Sequence, residues 1–382
     1  MKQHAMKMWM VVGAATMMAA NLSVADAAAK ASSGNTTLTV YISGDVNIQG
    51  LWQNQLIPMY EKANPGVQLK LVFSAHGIND ASVTDKIIAA EKANQNSGYD
   101  ILEGLNVTQL TAAHMLRKLT AKEVPNLSRI EPDLLKQTSY TAMPYRASSV
   151  VLAYNSSFVS NPPTTLRGLI SWIQQNPGKF AYNQEGTGGS GDAFVRAIVD
   201  SKMVKSVQEQ MVTGGQASLE KYWTPGLKLL SSLNADMYQS GYYPNGNTGT
   251  LNLLANQSIW MAPVWSDMAL TALATKQLPP TVKLVQLNPP FSGGPADVSI
   301  VKNSPNKVVA EKFFNWILTP QVQGVIVNTI NGYPGVEWKY VPKSIQVKYA
   351  AIAKAYGQGW GVPYSSDIVQ QWQNKVPAKT GN

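Results

Sequence analysis

The chain has 382 residues, 45% of them hydrophobic and 14% charged, with 31 Lys and Arg against 22 Asp and Glu, for a formal net charge of +9. It is long enough to bury a large core and to divide into two lobes. The absence of cysteine excludes disulfides, thiolate nucleophiles, thiolate metal sites and a lipid-modified N-terminal cysteine, and basic residues scattered without a run or an aromatic-interleaved face exclude a nucleic-acid footprint.

The N-terminus carries Lys2, His4 and Lys7, then an apolar run from Met8, then small residues around Ala25-Asp26-Ala27. This is the order of a secretory signal peptide, with cleavage expected after Ala27, the alternative being Ala25, and the run is shorter than the roughly 20 residues a spanning helix needs. Loss of residues 1–27 leaves 29 basic and 21 acidic residues, a net charge of +8, on an exported chain. Residues 28–36 are small and polar and read as a flexible leader.

"LTVYIS" (38–43) is a buried-strand run, followed by a helix pattern in "LWQNQLIPMYEKANPG" that Asn64-Pro65-Gly66 stops. "VQLKLVFS" alternates as a strand, and "DASVTDKIIAAEKANQNSG" has helical spacing between Asp80 as N-cap and Gly98 as C-cap. "YDILEGL" is a third short strand, and the alternation of strands with helices predicts a parallel-rich α/β sheet. The pattern changes at "TAMPYRASSVVLAYNSSF", whose run from Ser148 to Tyr154 is strongly β-prone and opens the second lobe. Helices follow in "NPPTTLRGLISWIQQNPGKF" and "TGGSGDAFVRAIVD", then a strand leading into a helix in "SIWMAPVWSDMALTAL". "TVKLVQLNPPFSGGPADVSIVKNS" returns to a sheet, and "NKVVAEKFFNWILTPQVQGVIVN" has helix periodicity.

The signal peptide and, in order along residues 38–325, "LTVYISGDV", "YEKANPGVQLKLVF", "YDIL", "MPYRASSVVLAYNSSFV", "PPTTLRGLISWIQQNPGKF" and "NKVVAEKFFNWILTPQVQ" resemble the extracellular solute-binding proteins of ABC importers. They look most similar to the branch with polyamine- and thiamine-type binders. The resemblance implies a type II periplasmic-binding fold: two α/β lobes joined by two crossover strands, closing by hinge bending on a solute in the central cleft. It also implies a monomeric periplasmic receptor with no chemistry and no cofactor, whose partner is the inner-membrane permease. The expected boundaries are 37–146 and 284–330 for lobe 1, and 147–283 and 331–382 for lobe 2.

Gly186, Gly188 and Gly191 have the spacing G-x-G-x-x-G, but the chain runs on as helix through "AFVRAIVDSKMVKSVQEQ", with no second strand ending in an acid and no Gly-Lys-Ser/Thr. A nucleotide turn is therefore not expected. What remains is a glycine-rich turn at a helix start, where free N–H groups of Thr187, Gly188, Gly189 and Ser190 favour a polar or anionic oxygen, set against a plain loop capped by Ser190 or Asp192. In the first lobe the candidates are Ser43, Asp45 and Asn47 after strand one, His76 after strand two, and Glu103 with Asn106 after strand three; turn and cap chemistry is the alternative for each. Tyr145 and Arg146 stand at the crossover, Arg146 to clamp an anion or to pair with an acid across the hinge. From the second lobe come Trp223, Tyr242, Tyr243, Trp265, Ser266 and Asp267, the last three placed where a strand ends.

Acids outnumber bases among these candidates, so an organic cation or a polyhydroxylated molecule is favoured over a phosphonate or carboxylate. Adjacent Tyr242 and Tyr243 keep a ferric-ion carrier open, although no metal ligand set is assigned. A secreted hydrolase would have to use Ser190 or one of His76 and His114, neither of which stands in a catalytic spacing.

Overall fold

The computed structural model describes residues 35–75, 77–104, 107–213, 215–349, 356–361 and 364–377. The signal segment, His76 and Asn106 lie outside these residues.

Eight strands carry the architecture: β1 (Thr36–Gly44), β2 (Val67–Ala75), β3 (Ile101–Glu103), β4 (Ala142–Asn155), β5 (Met261–Trp265), β6 (Val282–Val285), β7 (Gly293–Ile300) and β8 (Tyr333–Pro334). They join in the order β2-β1-β3-β7-β4-β5, with β6 and β8 also paired to β4. β1 runs parallel to both β2 and β3, as the alternation of strands and helices predicts. All four partners of β4 run antiparallel to it, so the parallel character stops where the chain crosses over.

β4 is the longest strand, with 14 residues, because it serves two neighbourhoods. Ala142–Ser149 pairs with β7 and Val150–Tyr154 with β5. The β4·β7 pair thus links the two halves, and the ladder slips between Pro144 and Arg146. Pro144 has no N–H to give to a ladder. The amide of Gln323 repairs the break: its Nε2–H donates to the Tyr145 carbonyl at 3.1 Å, and its Oε1 accepts the Gly335 N–H at 2.8 Å.

Apolar side chains gather in two main cores. The first holds Leu38, Val40 and Ile42 of β1, Trp52, Tyr145, Val298 and Ile300, and Phe313, Phe314 and Ile326 of the helices Lys307–Ile317 and Pro320–Ile330. The second holds Val150 and Leu152 of β4, Phe180, Tyr182, Phe194, Ile198, Trp223, Met261 and Trp372. Each fully buried Leu, Ile or Phe contributes about 1.5–3 kcal/mol by leaving water. The expected boundaries cut these cores differently: Val336, Val341 and Ile345 pack with the first, while Leu287 and Phe291 pack with the second.

Local expectations meet two corrections. The helix Asp80–Lys92 ends before Gly98, turned by Asn94 at a φ of +53°, and its cap is Asn79, while the Asp80 carboxylate accepts the Tyr41 hydroxyl at 2.6 Å. Thr36, placed in the leader, already belongs to β1. The helical run from Val46 to Ala63 widens to a π-turn over Trp52–Leu56 just ahead of Pro58, the local adjustment that a residue without an N–H calls for.

Candidate functional site

A cavity of about 260 Å³ opens where strand ends from both halves meet, at the carboxyl lips of the strands where open α/β sheets bind their ligands. The end of β1 delivers Asp45 and Asn47, the end of β5 delivers Trp265 and Asp267, and β4 passes through with Arg146 and Ser148. Gly188 and Gly189 open the helix Gly189–Asp200 on one wall, and Asn247 lies in the first turn of the helix Gly246–Ala255.

Two amide–carboxylate hydrogen bonds cross the cavity. Asn47 Nδ2–H donates to Asp267 Oδ2 at 3.0 Å, and Asn247 Nδ2–H donates to Asp45 Oδ2 at 3.0 Å. Each joins a residue beside the first core to one beside the second. Asp267 is only 4% exposed, and its other oxygen accepts the Ser148 hydroxyl. The Asn47 Oδ1 is buried with no hydrogen-bond partner among the described residues. The polar lining therefore offers mainly acceptors: two carboxylates and an amide oxygen.

Arg146 is the cation in this lining, and it is already engaged. Its Nη2–H donates to Glu103 Oε1 at 2.9 Å and its Nε–H to the Tyr145 hydroxyl oxygen at 2.9 Å, while its side chain stays 12% exposed. Tyr145 also accepts the Trp52 indole N–H at 3.1 Å. Both of those partners can only donate, so the single Tyr145 proton goes to Glu103 Oε1, 2.8 Å away. Glu103 is 0% exposed, and burial pushes its pKa up while the Arg146 charge and the Tyr145 hydrogen bond pull it back.

The sequence candidates separate accordingly. Asp45, Arg146, Gly188, Gly189, Trp265 and Asp267 line the cavity together, as does Asn47. Glu103 and Tyr145 lie behind it, expected as ligand residues but buried as the support of Arg146. Ser43 sits at the end of β1 with its hydroxyl near the Glu103 carbonyl, 3.5 Å away. Thr187 is a turn residue, its hydroxyl donating to the Gln184 carbonyl at 2.7 Å and accepting the Gly246 N–H at 3.0 Å. Ser190 is buried, its hydroxyl within 2.8 Å of both Asn183 Oδ1 and Asn247 Oδ1, so it holds Asn247 rather than facing a substrate.

Tyr242 is 50% exposed against Tyr238 and away from the cavity, whereas Tyr243 packs edge-on to Tyr182 and Trp372. The adjacent tyrosines do not converge. Trp223 is core, stacked on Trp360 at 5.3 Å. Nothing in the sequence singles out Asn247, where "PNGNTG" signals only a turn before a helix, and Ser148 reads only as part of a β run.

Two part-buried acids outside the cavity predict how stability follows pH. Asp200, beside Trp360, is pushed up to about 6 by burial, and Asp297 on β7 is pushed up to about 6 by burial and then by the charge of Glu103. A carboxyl whose folded pKa exceeds its unfolded value of 3.8 stabilises the fold in its protonated form. That stability is complete below about pH 4 and lost as pH rises through 6. Unfolding free energy should thus fall by about 1 kcal/mol or more per group between pH 5 and pH 7.5, read by denaturant titration at each pH. Asp200→Asn should flatten part of the slope, and a slope of opposite sign would refute both assignments.

A family model described as bacterial extracellular solute-binding protein matches residues 55–353. No curated protein sequence matches the chain. Among solved structures the chain is similar to an ABC transporter protein from Clostridium perfringens, at 18% identity and a TM-score of 0.63, covering 88% of this chain and 98% of that one. It is similar to a spermidine/putrescine ABC transporter substrate-binding protein from Streptococcus pneumoniae, at 13% identity and a TM-score of 0.63, covering 89% and 99%. A third is the apo ferric ion-binding protein A of Pasteurella haemolytica, at 14% identity and a TM-score of 0.62, covering 89% and 96%. At such identities the likeness establishes the two-lobe fold.

Proposed function

Because the chain belongs to the bacterial extracellular solute-binding protein family, we propose that it is the periplasmic receptor of an ABC importer, capturing a small organic cation between its lobes and presenting the closed form to the membrane permease. The observation that carries the cation is the acceptor-rich cavity: Asp45, Asp267 and the Asn47 Oδ1 face it, while Arg146 is matched by Glu103 behind the wall. Trp265 adds an aromatic wall against which an ammonium group gains cation–π attraction. The volume of about 260 Å³ equals about nine waters at about 30 Å³ each, and lies below the ~300–1,000 Å³ of drug-sized pockets.

In this reading lobe 1 comprises residues 36–146 with 293–349, and lobe 2 comprises residues 147–292 with 356–377, the division that the two cores support. Export through cleavage after Ala27 and a monomeric working form belong to the same reading. No helix among the described residues is long and apolar enough to cross a membrane. The protein works by binding: a ligand that bonds groups from both lobes favours the closed state by its differential affinity.

The test is a thermal-shift and calorimetric panel on protein unfolded and refolded to strip any carried ligand, using putrescine, spermidine, thiamine, sugars, methylphosphonate, succinate and Fe(III). A binder at a hundredfold excess over its Kd raises stability by about 2.7 kcal/mol. The expected result is one-to-one, saturable binding of an amine. Binding of an anion or of Fe(III) with no response to any amine would overturn the cation assignment.

A further inference from the structure

We propose that Glu103, which does not touch the cavity, determines the ligand's charge class by neutralising Arg146, so that Asp45 and Asp267 leave the cleft net negative. The proposal rests on the small-cation reading and deepens it. Without Glu103 the same cleft would hold Arg146 as an uncompensated cation beside two carboxylates, and its preference for amines would shrink.

The geometry behind this is specific. Glu103 ends β3, fully buried, and takes two donors on one oxygen, the Tyr145 hydroxyl and the Arg146 guanidinium. The donor chain from Trp52 through Tyr145 can run in only one direction, toward Glu103, which marks its Oε1 as an acceptor. This bonding commits the Nε–H and one Nη2–H of Arg146 to the wall, one of the pairs of parallel N–H groups with which a guanidinium clamps a carboxylate or phosphate. Arg146 still borders the cavity, but with Glu103 bonded to it its charge is balanced from behind the wall.

The variant Glu103→Gln keeps the shape and removes one negative charge. Three probes of nearly equal shape separate charge from structure: butane-1,4-diamine with two charges, 4-aminobutan-1-ol with one, and butane-1,4-diol with none. At an effective permittivity of about 20 and a separation of about 10 Å, one charge alters affinity about tenfold per ligand charge. By calorimetry the variant should lose about a hundredfold in affinity for the diamine, about tenfold for the amino alcohol and little for the diol. Glu103→Asp, which restores the carboxylate, should recover most of both losses. Equal losses for all three probes would mean that Glu103 is merely structural, and unchanged affinities would mean that it carries no charge in the native protein; either overturns the proposal.

If Glu103→Gln yields no folded protein, the wild type decides. A neutralised Arg146 leaves phosphate and succinate unable to compete with the diamine at millimolar concentration, and competition by either overturns the assignment. Failure of the broader cation reading looks different, because the wild type itself would then take neither amine. In that case the anions still test Glu103: phosphate binding gained by Glu103→Gln and absent from the wild type supports its role, and phosphate binding by both refutes it.

Discussion

Asp267→Asn should weaken amine binding about a hundredfold while leaving a folded protein. Asp267 is the one carboxylate that lines the cavity, bonds a residue beside the first core and is anchored from the crossover strand, through Asn47 and Ser148 respectively. A charge-assisted hydrogen bond from an ammonium group to it contributes about 1.5–3 kcal/mol, which is roughly tenfold to more than a hundredfold in Kd. The loss is one of charge. Asparagine can keep both neighbours, its Oδ1 accepting from the Asn47 amide and its NH2 donating to the Ser148 hydroxyl oxygen, whose own proton can turn to Ser266. The variant therefore removes the carboxylate charge while the bond to Asn47 stands. Calorimetry reads the affinity, and small-angle scattering with and without the diamine reads the closure. A Kd within about threefold of wild type would remove Asp267 from the site and would point to Asp45 as the ligand's anchor.

In the proposed reading the same cross-cleft bonds favour closure even without a ligand. Each hydrogen bond adds about 0.5–1.5 kcal/mol net, and the two Asn–Asp pairs act in the same direction. A ligand then has to supply only the remaining difference between open and closed populations. A cation between Asp45 and Asp267 does this well, because it relieves the mutual repulsion of two carboxylates that closure brings to one cavity.

Much of this was legible from residue order. Periodicity marks β1 and β2, and the proline-marked crossover announces β4, because strand alternation and proline punctuation act locally. Position after a strand end marks Asp45 and Trp265–Asp267, since ligand loops in α/β sheets follow strand ends. That rule places Glu103 in the site, whereas the side chain lies behind the cavity. Strand position alone does not say that β3 lies between β1 and β7, where its last side chain is sealed from the cavity. Asn247 was missed for a related reason: it reaches Asp45 across 202 positions of sequence, and asparagine in a turn has a sufficient local explanation. Aromatics suit ligand walls, which favours Tyr242 and Trp223, yet large aromatics more often fill cores, and Trp223 does so completely.

The glycine-rich turn that first suggests a nucleotide carries the last and most severe prediction: Gly191→Ala should destabilise the fold by about 3 kcal/mol or more. Each glycine of the G-x-G-x-x-G spacing answers a steric demand of this turn. Gly186 has a φ of +80°, a left-handed conformation that glycine adopts without penalty. A Cβ on Gly188 would come within 2.6 Å of Asn247 Oδ1, the amide that reaches across to Asp45. On Gly191 it would meet the Asn183 backbone carbonyl at 2.2 Å, with no flexible side chain to give way. Gly191 also donates its N–H to Asn183 Oδ1 at 2.7 Å, and Asn183 Nδ2–H donates to the Gly188 carbonyl at 2.7 Å, so the asparagine clamps the turn from inside. Pushing Asn183 away would loosen both bonds and, through Ser190, the position of Asn247. Chemical denaturation should show the loss as a lower midpoint at unchanged slope, accompanied by weaker amine binding. A cost below about 1 kcal/mol would mean that the turn and Asn183 are not in such close contact, and the spacing would then need another explanation.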